Sequence, residues 1–350
     1  MRSVITGGAG FIGSHLVEYL LAAGDDVVVL DDMSTGAPRN LLGALADPKL
    51  RLVQGSILDR SVVEDTIRGA DRVFHLAAAV GVRLIVEHPL SSLRTNIHGT
   101  ENVLDACLAN NAKLLLVSTS EVYGKNTADK LSEDSDRVLG SALTSRWTYA
   151  ASKGIDEAFA HAYHTQYGLQ VAIVRPFNTV GPRQTGRYGM VVPNLVGQAL
   201  RGEPLTVFGD GQQTRCFSYV GDVVPALVRI AEAPGAVGRA FNLGGAEEIS
   251  IEQLALRALR VTGSSSSITY VPYEEAYSEG FEDMRRRVPD NTAAFDLVGF
   301  VPRTTLDETL AHVAAAIAET SKADRQRSAI VDPTKGGPRV AEVAQAGWAR

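Results

Sequence analysis

The chain has 350 residues, 45% of them hydrophobic, enough to fill one large core or two interlocked ones. Its formal net charge is −6 and it has no lysine or arginine block, which argues against a phosphate-neutralising nucleic-acid surface and makes a small molecule the expected partner. Two cysteines, Cys107 and Cys216, are too few for a disulfide framework, and no apolar run approaches the roughly 18 residues that span a bilayer, so a reducing cytoplasm is the expected setting.

Short β-branched runs alternate with amphipathic stretches along the chain. "SVIT" leads into a periodic segment over 11–23, then come "VVVLD", "LRLVQG", a helix over 60–69, "RVFHLA", a helix over 90–110, "KLLLVS", a helix over 147–167 and "LQVAIVRP". Strand, crossover helix, strand is the pattern of an α/β, doubly wound parallel sheet with helices on both faces. After Pro176 the pattern loosens into "GPRQTGRYG" and "FGDGQQTRCF", with helices expected near 190–201, 222–233, 250–262 and 305–318. The expected organisation is a dinucleotide-binding domain over 1–180 to which 218–245 return, and a smaller α/β substrate lobe over 181–320. A disordered tail is expected over 321–350, which has no sustained apolar period and contains "DPTKGGPR".

"VITGGAGFIGSHLVEYLL" places a strand end at Thr6, glycines at 7, 10 and 13, and then a helix. Such glycines serve a tight turn, close backbone approach to a pyrophosphate, and close helix–strand packing, with the helix N-terminus facing the anion. Gly8 also satisfies the looser spacing. The acid closing the second strand, Asp31, completes the Rossmann dinucleotide fingerprint. Its carboxylate would accept from the adenosine ribose hydroxyls and repel a 2′-phosphate, so the expected cofactor is NAD and not NADP.

Tyr149 and Lys153 are four apart on an expected helix and so share a face. An ammonium near a phenol favours phenolate, and a phenolate takes a proton from an alcohol. His161 and His164 also share a helix face, but with no third ligand and no HExxH pattern a metal site is not expected.

"TGGAGFIG", "HLAA" at 75–78, "STSEVYG" at 118–124, Tyr149 with Lys153, and "RPFNTVGPRQ" together resemble the extended short-chain dehydrogenase/reductases that act on nucleotide sugars, over residues 1 to about 318. The resemblance implies a Rossmann domain holding NAD through Gly7, Gly10, Phe11, Ile12, Gly13, Asp31, Ser56, Ile57, Leu76, Ala77 and Ala78, with Tyr149 and Lys153 at the nicotinamide end. It implies that Thr119, Tyr149 and Lys153 form the catalytic triad, Tyr149 removing the proton of the sugar 4-hydroxyl. Asn96 would hold the active-site helix, and Asn178 would meet the substrate diphosphate. The family often has an acid where Ser56 stands in "QGSILD", which alters the adenine contact here.

A 4-keto sugar can be re-reduced on its other face, can lose water, or, from a uronic acid, can lose carbon dioxide. Glu121 is superfluous for a simple epimerase, and Ser120, standing where the dTDP-sugar dehydratases have an Asp, is a poor proton donor. The remaining resemblance is to UDP-glucuronate decarboxylases, with "SRWTYAASK", "GQQTRCF" and "EGFEDMRRRVPD" in agreement. It implies that Arg146 faces the sugar carboxylate, that Ser120 and Glu121 flank it, and that Arg287 orients the group or serves in protonating the enolate. Arg215 and Tyr277 join Arg146, Asn178 and Arg287 as substrate contacts, and a homodimer is implied through helices near 94–110 and 148–165. A UDP-glucuronate or UDP-glucose 4-epimerase and a 4,6-dehydratase stand as alternatives. A non-catalytic NAD-binding module is the alternative from another class, opposed by the intact Thr119, Tyr149 and Lys153.

Overall fold

The computed structural model describes residues 1–81, 88–187, 189–276 and 284–330. Six strands carry the first half: β1 (Arg2–Thr6), β2 (Asp26–Asp31), β3 (Leu50–Gln54), β4 (Arg72–His75), β5 (Lys113–Val117) and β6 (Val171–Pro176). Helices α1 (Phe11–Ala22), α2 (Arg60–Ile67), α3 (Pro89–Asn110) and α4 (Thr148–Tyr167) cross between them. Then follow β7 (Thr179–Val180), α5 (Val191–Arg201), β8 (Leu205–Phe208), β9 (Thr214–Cys216), β10 (Ser218–Tyr219), α6 (Val220–Glu232) and β11 (Ala240–Leu243). The chain continues through β12 (Glu248–Ser250), α7 (Ile251–Thr262), β13 (Ile268–Val271), α8 (Tyr273–Ala276), α9 (Thr292–Val298) and α10 (Leu306–Ile330).

Seven parallel strands form the main sheet in the order β11-β6-β5-β4-β1-β2-β3. Both faces are covered, so the strands are continuous apolar runs rather than alternating ones. Ile5, Val27, Val29 and Leu115 pack with Leu16 and Leu20 of α1 and Val223 and Leu227 of α6. Their neighbours Val4, Val28, Leu30 and Leu116 face the other way, onto Val63 of α2, Val103 and Leu104 of α3 and Ala160 of α4. Each such fully buried Val, Leu or Ile side chain contributes about 1.5–3 kcal/mol relative to exposure.

A third core binds the smaller lobe, with Val192 and Leu195 of α5, Leu205 and Val207 of β8, Leu254 of α7 and Leu310 and Val313 of α10. β8 pairs with β13 in parallel, and β9 with β12 antiparallel. Between these pieces the chain returns to the first half: β11 pairs with β6, and α6 and Phe300 belong to the core beneath the glycine loop.

The helix expected to stop at 318 instead runs to Ile330. Its apolar period ends, but Glu319 to Arg327 is rich in good helix formers and holds no Gly or Pro, so the helix continues into the segment expected to be disordered. Residues 331–350 lie outside the described ones. No helix among the described residues is long and apolar enough to cross a membrane.

Strand order reverses between β1 and β4, which opens a crevice beyond the strand ends at Thr6, Asp31, His75 and Val117.

Candidate active site

That crevice is a cleft of about 1600 Å³ running from the glycine loop to the smaller lobe. Its near wall is backbone. Gly7 has φ +74, and a Cβ there would lie 2.7 Å from the Ala77 nitrogen. A Cβ at Gly13 would lie 2.2 Å from the Gly7 carbonyl oxygen, so α1 packs this close only because the side chain is missing. No side chain caps α1 and no acid stands in its first turn, leaving the positive end of the helix to the cleft lined by Gly10, Phe11 and Ile12.

Asp31 is buried, accepting from the N–H of Ala9 and of Met33, each at 2.9 Å. Burial pushes its carboxyl up, against those two bonds. It therefore braces the glycine loop as well as facing the cleft. Ile57, Leu76, Ala77 and Ala78 line the same wall. Ser56 does not: its Oγ accepts from the Leu58 N–H at 3.2 Å, while Gly55 and Ile57 reach the cleft. The uncapped helix end, the glycine cradle and the recessed acid fit a dinucleotide, which Gly7, Gly10, Gly13 and Asp31 would meet.

The chemistry sits where β5 ends. Thr119 caps the 3-10 helix Ser120–Tyr123, its Oγ1 accepting from the Glu121 N–H at 3.2 Å. It also hydrogen-bonds Tyr149, which α4 carries. Burial, then the charges of Glu121 and Asp156, push the Tyr149 phenol above its ordinary range, with Thr119 and Arg287 opposing. Lys153 is fully buried one turn on, its Nζ 3.0 Å from Asp156 Oδ2. The ammonium expected to stabilise phenolate is thus already paired with an acid that "YAASK" does not include. Asn96 holds α4 in place: its Oδ1 accepts from the Ala79 N–H at 2.8 Å and its Nδ2 donates to Ser152 Oγ at 3.0 Å.

The far wall is charged. Glu121 lies between Arg146, whose Nη1 is 2.7 Å from Oε2, and Arg287, which donates to Oε1. Burial works against a charge on Glu121, but Arg287 and Arg146 outweigh it and hold the carboxyl well below the usual carboxylate range. Arg287 donates also to Asn178 Oδ1 at 3.0 Å, and Asn178 Nδ2 to the Cys216 carbonyl at 2.9 Å. Asn178, with φ +36, thus orients Arg287 from this end of the cleft. Arg215 of β9 lines the cleft too, donating to the Thr214 carbonyl at 2.8 Å. Tyr277 lies outside the described residues.

Sequence reasoning missed Asp156 beside Lys153, and the buried pair Glu157 and Arg175, which meets Ser118. Arg175 donates to both oxygens of Glu157, at 2.9 and 2.7 Å, and Ser118 donates to the same carboxylate. The available signal was a charged pair inside otherwise apolar or active-site segments, "SKGIDE" and "AIVRP".

The model of the NAD dependent epimerase/dehydratase family matches residues 3–244. A UDP-N-acetyl-alpha-D-glucosaminuronate decarboxylase of Bacillus cytotoxicus is 40% identical over 313 residues, 88% of this chain and 95% of that protein. UDP-glucuronic acid decarboxylase 2 of Arabidopsis thaliana is 37% identical, over 89% of this chain and 66% of that protein. Among solved structures, a UDP-glucuronic acid 4-epimerase from Bacillus cereus, in complex with UDP-glucuronic acid and NAD, superposes with a TM-score of 0.82 at 29% identity, covering 91% of this chain and 100% of that one. A dTDP-glucose 4,6-dehydratase from Streptomyces venezuelae with NAD bound gives a TM-score of 0.83 at 31% identity, over 92% and 98%.

Proposed function

The chain belongs to the NAD-dependent epimerase/dehydratase family, and from that premise we propose that it decarboxylates a UDP-hexuronate, UDP-glucuronate first, giving UDP-xylose or its 4-keto form. One observation carries the reading: two buried guanidiniums, Arg146 and Arg287, converge on a single carboxylate position beside Thr119 and Tyr149. Glu121 occupies that position, but one carboxylate set against two guanidiniums leaves a net positive charge that suits a uronate better than a hydroxymethyl sugar. Relatives named for uronate decarboxylation support decarboxylation over epimerisation.

NAD, when bound, supplies a hydride acceptor for carbon 4, and its pyridinium charge favours phenolate. Tyr149 takes the proton of the 4-hydroxyl, with Thr119 hydrogen-bonded to the same phenol. The 4-keto uronate is a β-keto acid: the bond from carbon 5 to the carboxylate breaks, carbon dioxide leaves, and the electron pair enters the enolate. Arg146 and Arg287 hold the carboxylate in place, and Arg287 stands ready to assist proton delivery to carbon 5. Ser120 and Glu121 flank that carbon. Asn178 and Arg215 serve the substrate end, Asn178 by aiming Arg287.

Incubating the enzyme with NAD and UDP-glucuronate, with products followed by NMR, tests the reading. Carbon dioxide and a UDP-pentose are expected, and UDP-galacturonate as the product would mean an epimerase instead. The 40% identical relative favours a second substrate, UDP-N-acetylglucosaminuronate, which belongs in the same assay. A cytoplasmic homodimer is part of the proposal: α3 and α4 lie side by side and expose Leu90 and Ile155. Sedimentation at micromolar concentration should give twice the chain mass.

A further inference from the structure

Glu121 and Arg287 meet in the cleft, yet 166 residues separate them in sequence, and neither element that carries them is part of the main sheet. Their spacing has to be set by something behind the cleft wall. The 3-10 helix that carries Glu121 ends at Tyr123, which is fully buried. The segment that carries Arg287 is laid against Leu131: the Leu131 N–H donates to the Val288 carbonyl at 2.8 Å, and the Asp290 N–H to the Leu131 carbonyl at 2.9 Å. Asn242 of β11 lies between these two pieces. Its Oδ1 accepts from the Tyr123 hydroxyl at 2.7 Å. Its Nδ2 donates to the Leu131 carbonyl at 2.9 Å and to the Asp290 carbonyl at 3.3 Å.

We infer that Asn242 is a positioning residue, whose one buried amide joins the Glu121 helix to the Arg287 segment and so sets the carboxylate socket. Asn242 is fully buried, does not line the cleft, and hydrogen-bonds Tyr123, Leu131, Asp290 and Glu133, with Thr119, Tyr149 and Lys153 not among these partners. The amide suits the task because it accepts on one side and donates twice on the other, which neither Asp nor a hydroxyl does. The rest of the frame is stiff. Arg175 donates to the Tyr123 hydroxyl at 2.8 Å while gripping Glu157 of α4, and the Asn242 N–H donates to Glu133 Oε1 at 2.6 Å. Burial pushes the Tyr123 phenol up to about 12, against Arg175, so its hydroxyl keeps its proton at any physiological pH.

The inference rests on the uronate reading, and its consequence is selective. Oxidation at carbon 4 depends on Tyr149 and Lys153, which α4 holds, and on Thr119, which follows β5 and caps the Glu121 helix at the end away from Tyr123. Seating the carboxylate depends on the socket. Loosening the amide link should therefore separate the two.

Tyr123→Phe tests this, since it removes one oxygen and keeps the ring; Asn242→Ala is the stronger companion. Three quantities are read: NAD reduction on adding UDP-glucuronate, carbon dioxide release, and calorimetric affinity for UDP-glucuronate against UDP-glucose. In Tyr123→Phe, NAD reduction should stay within about twofold, carbon dioxide release should fall about tenfold or more, and the uronate preference should drop about fivefold. Asn242→Ala should show the same split, enlarged. Equal loss of both half-reactions, or a lowered melting temperature with both unchanged, overturns the inference. Wild type that releases no carbon dioxide from either UDP-hexuronate overturns the decarboxylase reading instead, and the affinity ratio in Tyr123→Phe then decides on Asn242 alone.

Discussion

The two walls of the cleft are built on opposite principles. The near wall is glycine backbone from one contiguous stretch, Gly7 to Gly13, shaped by what a Cβ would strike. The far wall is side-chain charge, Glu121, Arg146 and Arg287, gathered from three distant segments and shaped by ion pairing in a buried place. A wall of the first kind tolerates changes of charge nearby and no added volume. A wall of the second kind tolerates volume and no unbalanced charge.

Tyr149 belongs to neither wall, so its removal calibrates both. Tyr149→Phe should lower kcat about 10²- to 10⁴-fold while leaving the affinities for NAD and UDP-glucuronate within about twofold. Unchanged turnover would mean another base. Gly13→Val strikes the near wall: its side chain starts 2.2 Å from the Gly7 oxygen, a backbone atom that cannot step aside. Overpacking of this kind costs about 1–3 kcal/mol, so NAD affinity should fall about tenfold to a hundredfold in a titration, with UDP affinity unchanged.

The far wall should respond with a change of sign. Arg287→Ala removes charge-assisted bonds of about 1.5–3 kcal/mol and should weaken UDP-glucuronate at least about tenfold while barely moving UDP-glucose. Glu121→Gln should instead tighten uronate binding several-fold, because Glu121 competes with the substrate carboxylate for the same two guanidiniums. It should still reduce NAD and then stall before carbon dioxide loss. Weaker uronate binding in Glu121→Gln would show that the carboxylates do not compete. Acidity gives the same sign. With the folded pKa of Glu121 depressed, its ionic contribution to stability is complete above the unfolded value of about 4.3 and is lost only as pH falls toward the folded one. Uronate affinity should accordingly show no Glu121 inflection between about pH 5 and 8. The smallest effect belongs to Ser56→Asp, which keeps an acceptor for the Leu58 N–H. It should gain no more than about threefold in NAD affinity, the worth of one partly exposed hydrogen bond.

The near wall was legible because its signal is local. Glycine spacing, the strand before it and Asp31 after it lie within one βαβ unit, and the parallel sheet follows from the same alternation of strand and helix. Less legible was what local residues do twice: Asp31 braces Ala9, and Ser56 turns from the cleft to cap Leu58. The far wall was reached only through resemblance, since "MRRRVPD" reads by itself as a solvated charge run, and only the fold brings its third arginine to Glu121. The frame behind it was invisible. Ser118 and Tyr123, Glu157, Arg175 and Asn242 come from four separate segments, and their joint burial is a product of topology with no spacing to betray it. The extra turns of α10 escaped for the opposite reason: they follow from propensity alone, where the apolar period had already ended.

The chain passes between the core beneath the glycine loop and the core of the smaller lobe five times, at 174–180, 207–220, 243–249, 258–294 and 300–306. A lobe on a single tether swings about it as a door does. A lobe joined by several crossings has no single tether to swing on. Widening the cleft would therefore have to bend these crossings together and could not pivot on one of them. The movement that admits and releases a ligand would then fall on individual side chains at the mouth.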